Sequence, residues 1–453
     1  MKLQFILTLV LAPAISQATM NPGVPRGEQS LAIAGRSAEL CVIPTHFADA
    51  KYSPADLQTE QALCSMTEDV NAAVCPKLES TNPAILFFSV PAPYTVQQAE
   101  AANCFMADPV NKTENIFKKR AKYKSSTSCS YTPSLLAYYH ISRLLNDAGH
   151  VPPAVLRTLD LGRHRELANL GYSLAVKTRP AGDTIITTWK SMLGFLNAPA
   201  LTKKKDVLFT DALDQTYGAL QMNPTGEEFY RLLFNEAHGG TRAEAFRDKN
   251  PIFAQLKMLK PASAIAGTQF SAINVQTLLA MKDASDMVVM DTLLSQEDRF
   301  GNIHFKKRYA YVDTTDVGPD GVAKIKFEAK LTPEIAAFNP VQVNQMLLKD
   351  NDCGISRENR ALKAGLLSYV AHMDPATYRG IQKLNLSADS PETINAFRQG
   401  MMFTKSDYDI MRANLKMIAT TTHTRCQTGK LMLDLDLSMH FSGRGPVTTN
   451  CEI

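Results

Sequence analysis

A leader peptide and the eight cysteines that follow it constrain this 453-residue chain more than any other sequence feature. The first 20 residues read MKLQFILTLVLAPAISQATM. Lys2 supplies a positive charge, residues 3–11 are almost wholly apolar, and the small residues Ser16 and Ala18 follow. This order is typical of a secretory signal peptide, so we predict a signal peptide at 1–18 that is cleaved after Ala18. The chain should then reside in an oxidising environment, either secreted, periplasmic or within the secretory pathway.

Paired cysteines are the default expectation in such a compartment. Five of the eight lie between residues 41 and 129, so disulfides should hold the N-terminal third together, and Cys426 with Cys451 would tie down the C-terminus. We predict at least three disulfides, whose connectivity the sequence leaves open. No C-x-x-C pair occurs, so a zinc site or a thioredoxin-type site is not expected. The cysteines are Cys41, Cys64, Cys75, Cys104, Cys129, Cys353, Cys426 and Cys451.

The composition is that of an ordinary globular protein. Hydrophobic residues make up 45% of the chain and charged residues 20%, and this length predicts two to three domains or one large domain with insertions. The formal net charge of +4 is too small to indicate nucleic-acid binding. Beyond the leader there is no stretch of about 20 apolar residues, so no transmembrane segment is expected.

Hydrophobic periodicity predicts a mixture of helices and strands. Alternating or short apolar runs favour strands, whereas apolar residues spaced three and four apart favour helices. The predicted strands are 84–90, 115–123, 151–159 (an edge strand, because of its prolines), a hairpin of 308–313 and 322–330, 343–355 and 430–441. The predicted helices are 133–149, 187–198, 225–237, 271–294 and several within 356–425.

Two polar clusters follow predicted elements in the C-terminal half. The first is DTLLSQEDRFGNIHF, in which Asp298, Arg299 and Asn302 crowd together where a helix ends and a strand begins. The second is LLKDNDCGI, which contains Asp350 and Asp352. Together they can place carboxylate and amide oxygens at one edge of a pocket. Phosphoryl transfer needs such groups, because a carboxylate must orient the nucleophile, oxygen ligands must hold the bridging metal, and a cation must position the phosphates.

These clusters resemble the atypical kinases, namely the phosphatidylinositol kinases, the HipA toxin kinases and the secretory-pathway kinases of the Golgi casein kinase family. The segment MVVMDTLLSQEDR resembles their helix and D-R-x-x-x-N catalytic loop, and LLKDNDCGI resembles their second strand with a D-x-G triplet. A third segment, LAYYHISRLLNDAGHVPPAVLR, resembles the Golgi-type helix that runs into V-P-P. The three matches occur in the family's order, and the implied kinase core spans about residues 80–440.

The resemblance implies an α+β, two-lobed, protein-kinase-like fold with a small β-rich N-lobe, a mostly helical C-lobe, insertions and disulfides. It also implies a division of the chain. The predicted parts are the signal peptide 1–18, a Cys-containing segment 19–80, an N-lobe 81–160, a helical insertion or lobe connection 161–265, and a C-lobe 266–453 with an inserted hairpin 306–331.

The same resemblance implies ATP with Mg²⁺ or Mn²⁺ as cofactors. Asp298 would orient and deprotonate the acceptor hydroxyl, Asn302 and Asp352 would bind the metal, and Lys118 and Arg299 would contact the nucleotide. Alternatives remain open for two of these roles. They are Asp313 or Asp350 for the metal, and Lys119, Lys122 or Lys177 for the phosphates.

The sequence therefore predicts a secreted atypical kinase whose acceptor is a protein Ser/Thr or a glycan hydroxyl. The alternative is a secreted pseudokinase, a disulfide-stabilised module that binds or regulates a partner without transferring phosphate. Two departures from the family favour this alternative. Ser134 or Leu135 stands where the family has a Glu in the helix, and no glycine-rich loop precedes the candidate lysine.

Overall fold

The computed structural model describes residues 27–33, 35–104, 116–233, 241–318, 320–355, 358–442 and 450–452. The predicted signal peptide at 1–18 lies outside these residues. So does the end of the predicted helix at 225–237. Among the residues that are described, no helix has both the length and the apolar character needed to cross a membrane.

Seven strands from the N-terminal half pair antiparallel into one sheet. In chain order they are β1 (Gly27–Leu31), β2 (Glu39–Ile43), β3 (Ala72–Pro76), β4 (Ile85–Ser89), β5 (Lys119–Ser125), β6 (Ala154–Asp160) and β7 (Gln215–Met222). Across the sheet the order is β1-β2-β6-β7-β5-β4-β3. The sheet thus takes strands from both sides of residue 160. The division of the chain at 80, 160 and 265 stays a prediction.

The side chains of β5 alternate between the two faces of this sheet. Ala121 and Tyr123 pack into an apolar cluster on one face. Because successive side chains of a strand point to opposite faces, Lys122 and Lys124 point to the other face, and both are buried there. This alternation brings two lysines to the side of the sheet on which the candidate site lies.

A second, four-stranded sheet lies in the C-terminal half. Its strands are β8 (Glu228–Phe229), β9 (His304–Val317), β10 (Ala323–Glu328) and β11 (Val341–Leu347). The long strand β9 pairs antiparallel with each of the other three. The predicted hairpin is therefore confirmed as β9 and β10, and the predicted strand at 343–355 is confirmed as β11.

Helices make up most of the remaining chain. They are α1 (Pro54–Cys64), α2 (Val96–Asn103), α3 (Thr132–Leu144), α4 (Leu161–Thr178), α5 (Thr184–Asn197), α6 (Lys205–Leu208), α7 (Arg242–Lys249), α8 (Pro251–Leu256), α9 (Ala262–Ala266), α10 (Ala272–Leu293), α11 (Pro333–Ala336), α12 (Arg360–Lys363), α13 (Pro375–Ser387), α14 (Pro391–Asn395), α15 (Lys405–Gln427) and α16 (Leu437–Phe441). The fold is therefore α+β, as expected, with a β-rich N-terminal part and a mostly helical C-terminal part.

Helix α10 forms the centre of the largest hydrophobic core. Ser271 begins it as an N-cap, since its side chain accepts a hydrogen bond from the Asn274 backbone N–H. Most of the residues that it buries are apolar, but Asp283, Asp286 and Asp291 are buried among them. It packs against α8, α15 and β11, so the segment that leaves its C-terminal end starts from a rigid position.

One predicted strand position and two predicted elements are wrong. The strand β6 was expected at an edge, yet it lies between β2 and β7. Pro152 and Pro153 come before its first residue, so neither removes a backbone donor from the ladder. The predicted helix at 225–237 begins instead as β8, followed by a single 3-10 turn at Arg231–Leu233, because pairing with β9 outweighs local helical periodicity.

The third error is the predicted strand at 430–441. Its alternating leucines do point into the core, since Leu431, Leu433 and Leu435 are all buried. The segment is extended there, and in the described part of the chain it joins residues 371–373 through the isolated bridge of Met432 and His372 and a hydrogen bond from the Leu435 N–H to the Met373 carbonyl, without forming a strand. It then turns into α16. The alternation of apolar and polar residues therefore predicted burial of the leucines correctly, although the segment is not part of a sheet.

All eight cysteines form disulfides, which confirms the prediction of at least three. The pairs are Cys41–Cys64, Cys75–Cys104, Cys129–Cys353 and Cys426–Cys451. The last pair ties the C-terminus to the end of α15, as the sequence suggested. The third joins two segments 224 residues apart.

Candidate functional site

A polar cavity of about 300 Å³ lies where three segments meet. The first segment, 295–302, follows α10. The second, 348–354, follows β11. The third is the turn 77–84 between β3 and β4, which faces them together with β5. The acids and lysines that line the cavity are Glu79, Asp298, Asp350, Asp352, Lys77, Lys124 and Lys349.

Asp352 is the most firmly held of the three aspartates. Only 3% of the residue is exposed. Its Oδ2 is 2.7 Å from Lys124 Nζ and accepts hydrogen bonds from Ser130 Oγ at 2.5 Å and Asn82 Nδ2 at 3.3 Å. Burial alone would raise the pKa of Asp352, but the Lys124 ammonium holds it below its usual value. This carboxylate is therefore ionised and preoriented.

Asp350 lies beside it and shares the same lysines. Its Oδ1 is 3.1 Å from Lys122 Nζ and 3.9 Å from Lys124 Nζ. Burial opposes ionisation, yet the surrounding lysines, with Lys122 first, keep the pKa of Asp350 well below its usual value. Burial lowers the pKa of Lys122 to about 8. The turn after β11 thus presents two ionised carboxylates against two buried lysines.

Asp298 also lines the cavity, and its side chain is 51% exposed. Asn302 Nδ2 donates to both the side-chain Oδ2 and the backbone oxygen of Asp298, each at 3.0 Å. Burial raises the pKa of Asp298, the nearby Arg242 lowers it, and the negative charge of Asp352 raises it further. The amide and the carboxylate of this loop therefore act as one unit at the edge of the cavity.

Arg299 is fully buried and holds the loop in place. Its Nε lies 3.0 Å from Asp291 Oδ2, and its terminal nitrogen donates to Asn351 Oδ1 at 2.5 Å. Tyr138 Oη donates to the same Asp291 carboxylate at 2.6 Å. The arginine thus joins α10, α3 and the turn after β11. It is not among the residues that line the cavity, so the expected contact with a nucleotide stays a prediction that this position does not favour.

Lys118, the sequence candidate for phosphate binding, lies elsewhere. It is exposed just before β5, where its carbonyl accepts a hydrogen bond from the Ser89 N–H. It does not line the cavity, whereas Lys124, six residues later, does. Sequence reasoning missed Lys124. The signal that could have found it is the pattern A-K-Y-K at 121–124, in which apolar residues alternate with lysines.

Asp313, the rival metal ligand, is engaged in the β9–β10 hairpin. Its Oδ2 is 2.7 Å from Lys326 Nζ, and its Oδ1 accepts from Thr315. Among the described residues that line the cavity, Asp298, Asn302, Asp350 and Asp352 bring carboxylate and amide oxygens from the two acidic segments, and the turn 77–84 adds the side-chain oxygens of Glu79, Ser80, Thr81 and Asn82. The structure therefore brings three of the predicted residues together, Asp298, Asn302 and Asp352, and adds Asp350.

Hydrogen bonds join the two acidic segments to each other and to α3. The Glu297 N–H donates to the Cys353 carbonyl at 3.2 Å, and Ser134 Oγ donates to the Asn351 carbonyl at 2.6 Å. Gly354 lets the turn approach α3, because a Cβ there would lie 2.2 Å from Ser134 Oγ. The distance between Asp298 and Asp352 is therefore set by covalent and hydrogen-bonded neighbours.

The donor set fits a hard divalent cation. Carboxylate and amide oxygens are the ligands that Mg²⁺ and Mn²⁺ prefer. A nearby group of Cys129, Glu297 and Cys353 has the spacing of a metal site, but both sulfurs are consumed in a disulfide and cannot act as thiolate ligands. A metal at this site would therefore be held by oxygen.

Comparisons with known proteins give structural likeness only. No protein-family model matches the chain, and no curated protein matches it. The crystal structure of the Golgi casein kinase with Mn/ADP bound is 13% identical with a TM-score of 0.43, over 83% of this chain and 77% of that one. The structure of hydra Fam20 with sugar is 13% identical with a TM-score of 0.41, over 84% of this chain and 93% of that one. The chain is thus similar in structure to these two proteins.

Proposed function

We propose that this chain is a secretory-pathway kinase that transfers the terminal phosphoryl group of ATP to a hydroxyl acceptor. One observation carries the proposal. Asp298 with its Asn302 partner lines the same cavity as two ionised carboxylates, Asp350 and Asp352, and the buried Lys124. Phosphoryl transfer uses this set of groups: a carboxylate for the nucleophile, oxygen ligands for the metal, and a cation for the phosphates.

The roles follow from where each side chain lies. Asp298 is half-exposed, so it can accept the proton of an incoming hydroxyl and orient it. Asn302 and Asp352, with Asp350, would hold Mg²⁺ or Mn²⁺, which neutralises charge on the phosphates when bound. Lys124 is placed to bind the phosphates, in the role that the sequence assigned to Lys118. The acceptor is a protein Ser/Thr or a glycan hydroxyl.

A secretory-pathway location is part of the proposal. Four disulfides are typical of an oxidising compartment. The predicted signal peptide at 1–18 agrees with it. Secretion would be tested by expressing the full sequence in a secreting cell and determining the N-terminus of the protein in the medium. Cleavage after Ala18 is the expected result.

A pseudokinase that binds a nucleotide or a partner without transfer is the second candidate. One observation favours it: Lys124 is paired with Asp352 itself. One of the three N–H donors of Lys124 is therefore directed at a carboxylate and not at a phosphate. Helix α3 has Ser134 or Leu135 at the position where the resemblance places a glutamate, and Ser134 Oγ donates to the Asn351 carbonyl.

Three single variants separate these possibilities. We expect the wild-type protein to be stabilised thermally by ATP with Mn²⁺ or Mg²⁺ but not by ATP with a chelator. Asp298→Ala should keep that binding and lose about 10²-fold or more of phosphoryl transfer, at a cost of about 1 kcal/mol or less in stability. Asp352→Asn should lose the metal-dependent binding. Asp313→Asn, outside the cavity, should keep both functions.

The outcomes assign the function. If the wild type shows no metal-dependent binding of nucleotide, the kinase proposal fails. If the wild type binds nucleotide but shows neither autophosphorylation nor ATP turnover, the pseudokinase is correct. If Asp298→Ala melts early and still turns over ATP, this loop is structural and the proposed base is wrong.

A further inference from the structure

The disulfide Cys129–Cys353 lies inside the candidate site, whereas the other three join nearer neighbours in the sequence. Cys353 lines the cavity and directly follows Asp352. Cys129 lies in the segment between β5 and α3. The three remaining disulfides join cysteines 23, 29 and 25 residues apart. The bridge at the site joins cysteines 224 residues apart and ties the β-rich part of the chain to the turn that carries Asp352.

Residues on the Cys129 side of the bridge hold Asp352 at two points. Ser130 Oγ donates to its carboxylate at 2.5 Å. The Tyr131 N–H donates to its backbone carbonyl at 2.8 Å. These donors are the next two residues after Cys129, so the covalent bridge and the two hydrogen bonds fix the same short segment against the same residue. The side chain and backbone of Asp352 are positioned together.

Residues on the Cys353 side connect the bridge to the catalytic loop. The Cys353 carbonyl accepts the N–H of Glu297, which precedes Asp298. Asn82 completes the arrangement from the turn between β3 and β4. Its amide nitrogen lies 3.1 Å from Cys129 Sγ and 3.3 Å from Asp352 Oδ2. Three segments that line the cavity therefore converge on the bridge.

We propose that Cys129 and Cys353 are positioning residues, whose disulfide holds Asp352 at the place where it and the Asp298–Asn302 pair face the same metal–nucleotide complex. This inference rests on the proposed function. Groups that orient metal ligands change metal affinity by about 10–100-fold when they are removed. Loss of the bridge should therefore weaken binding of metal and nucleotide more than it changes the rate of transfer at saturating metal, because Asp298 remains in place.

The test compares two double variants of the full chain, each of which lacks one disulfide. The double variant Cys129→Ser/Cys353→Ser is compared with Cys426→Ser/Cys451→Ser, which removes the bridge at the end of α15. Both should lower the melting temperature. Only the first should raise the Kd for Mn²⁺·ADP, by about 10-fold or more, measured calorimetrically well below each melting temperature. Raising the Mn²⁺ concentration should restore turnover in the first pair, so that KM for the metal changes and kcat does not.

Two outcomes would overturn the inference. One is an unchanged Mn²⁺·ADP affinity in the Cys129/Cys353 pair. The other is an equal loss of affinity in the Cys426/Cys451 pair. Failure of the wild type to bind Mn²⁺·ADP would instead contradict the proposed function, so the two failures are distinguishable.

A second measurement uses the wild-type protein, in case the Cys129→Ser/Cys353→Ser variant does not fold. Cys129 is partly exposed, so the folded wild type can be treated with a water-soluble phosphine. The disulfide gains two electrons and two protons, and the phosphine takes oxygen from water to become its oxide. Alkylation and peptide mapping identify which bridges opened. Molecules with only Cys129–Cys353 reduced should show the weaker Mn²⁺·ADP binding, and unchanged binding in them would overturn the inference.

Discussion

Lys124 balances the negative charge of the cavity from inside the protein. It is 3% exposed on its side chain, 2.7 Å from Asp352 and 3.9 Å from Asp350. Burial would lower the pKa of Lys124, but these two carboxylates raise it, so the side chain stays protonated. A buried ion pair contributes little net stability compared with apolar packing, whereas removal of one partner leaves an uncompensated charge.

We therefore predict opposite outcomes for two lysines of the same region. Lys124→Met should lower the free energy of unfolding by about 3 kcal/mol, because Asp352 loses its cation, and should abolish nucleotide binding. Lys118→Met, at an exposed position, should stay within about 0.5 kcal/mol of wild type and keep binding. Urea denaturation and calorimetric titration with Mn²⁺·ADP measure both effects. The reverse ranking would return the phosphate-binding role to Lys118.

At the scale of secondary structure, the site depends on how closely the turn after β11 packs on α3. Gly354 is the contact point, with Ser134 on α3 and the carbonyl of Leu294 at the end of α10 on either side. A methyl group there would lie 2.2 Å from the Ser134 oxygen and 3.0 Å from the Leu294 oxygen. Because the second atom belongs to the backbone, the turn itself would have to move.

We predict that Gly354→Ala lowers stability by about 1–3 kcal/mol through overpacking and weakens metal-dependent nucleotide binding. Gly194 offers the matched control. It lies within α5, and nothing is within 4 Å of the position its Cβ would take. Gly194→Ala should raise stability by about 0.5–1 kcal/mol, since alanine favours the helix, and should leave binding unchanged. Thermal denaturation with and without Mn²⁺·ADP decides; equal behaviour of the two variants would contradict this view of the turn.

Elements with a long, repeated pattern could be predicted from the sequence. Helix α10 keeps its apolar spacing over 22 residues, and the β9–β10 hairpin has both alternating strands and a turn between them. The short strand β8 could not be predicted, because its conformation depends on pairing of Glu228 with Phe305, 77 residues further along the chain. The central place of β6 depends likewise on pairing with β7, which follows it by more than fifty residues.

The residues of the site also fall into two groups, those that the sequence predicts and those that depend on tertiary structure. Asp298, Asn302 and Asp352 could be found because each stands in a local motif that has a chemical meaning. Lys124 and Asn82 could not be ranked, since their approach to Asp352 is fixed by the sheet and by the disulfide. Local spacing therefore predicted the aspartates of the cavity, whereas the position of Lys124 beside them depends on the tertiary structure.

At the scale of the whole molecule, buried histidines make the stability of the fold depend on pH. His164 on α4 is fully buried, with Nδ1 2.8 Å from Thr216 Oγ1. Its Nε2 has no hydrogen-bond partner in the part of the chain that the structure describes. Burial lowers the pKa of His164 to about 3. His140 on α3 follows the same rule, since burial lowers its pKa well below the usual value.

The direction in which stability changes with pH follows from the protons that the native and unfolded states bind. A histidine with a usual pKa near 6.5 takes up a proton in the unfolded chain below that pH, while the native His164 does not until about pH 3. Its contribution is fully present above pH 6.5 and is lost as the pH falls. Buried acids act in the opposite direction over part of the range, because burial raises the pKa of Asp283 and of Glu68 to about 7. The test must therefore use the difference between a variant and the wild type.

We predict that His164→Asn reduces by one the number of protons that the unfolded chain binds in excess of the native protein at acidic pH. Between pH 6.5 and 5 the wild type should lose about 2 kcal/mol relative to the variant, at about 1.4 kcal/mol per pH unit, even where the variant is less stable at pH 7.5. Urea denaturation at half-unit steps from pH 5.0 to 7.5 gives both curves. Gly354→Ala, which lowers stability but keeps the histidine, should run parallel to wild type. If His164→Asn also runs parallel, the native protein binds a proton at His164 near the usual pKa, and burial of this ring does not govern the acid sensitivity of the fold.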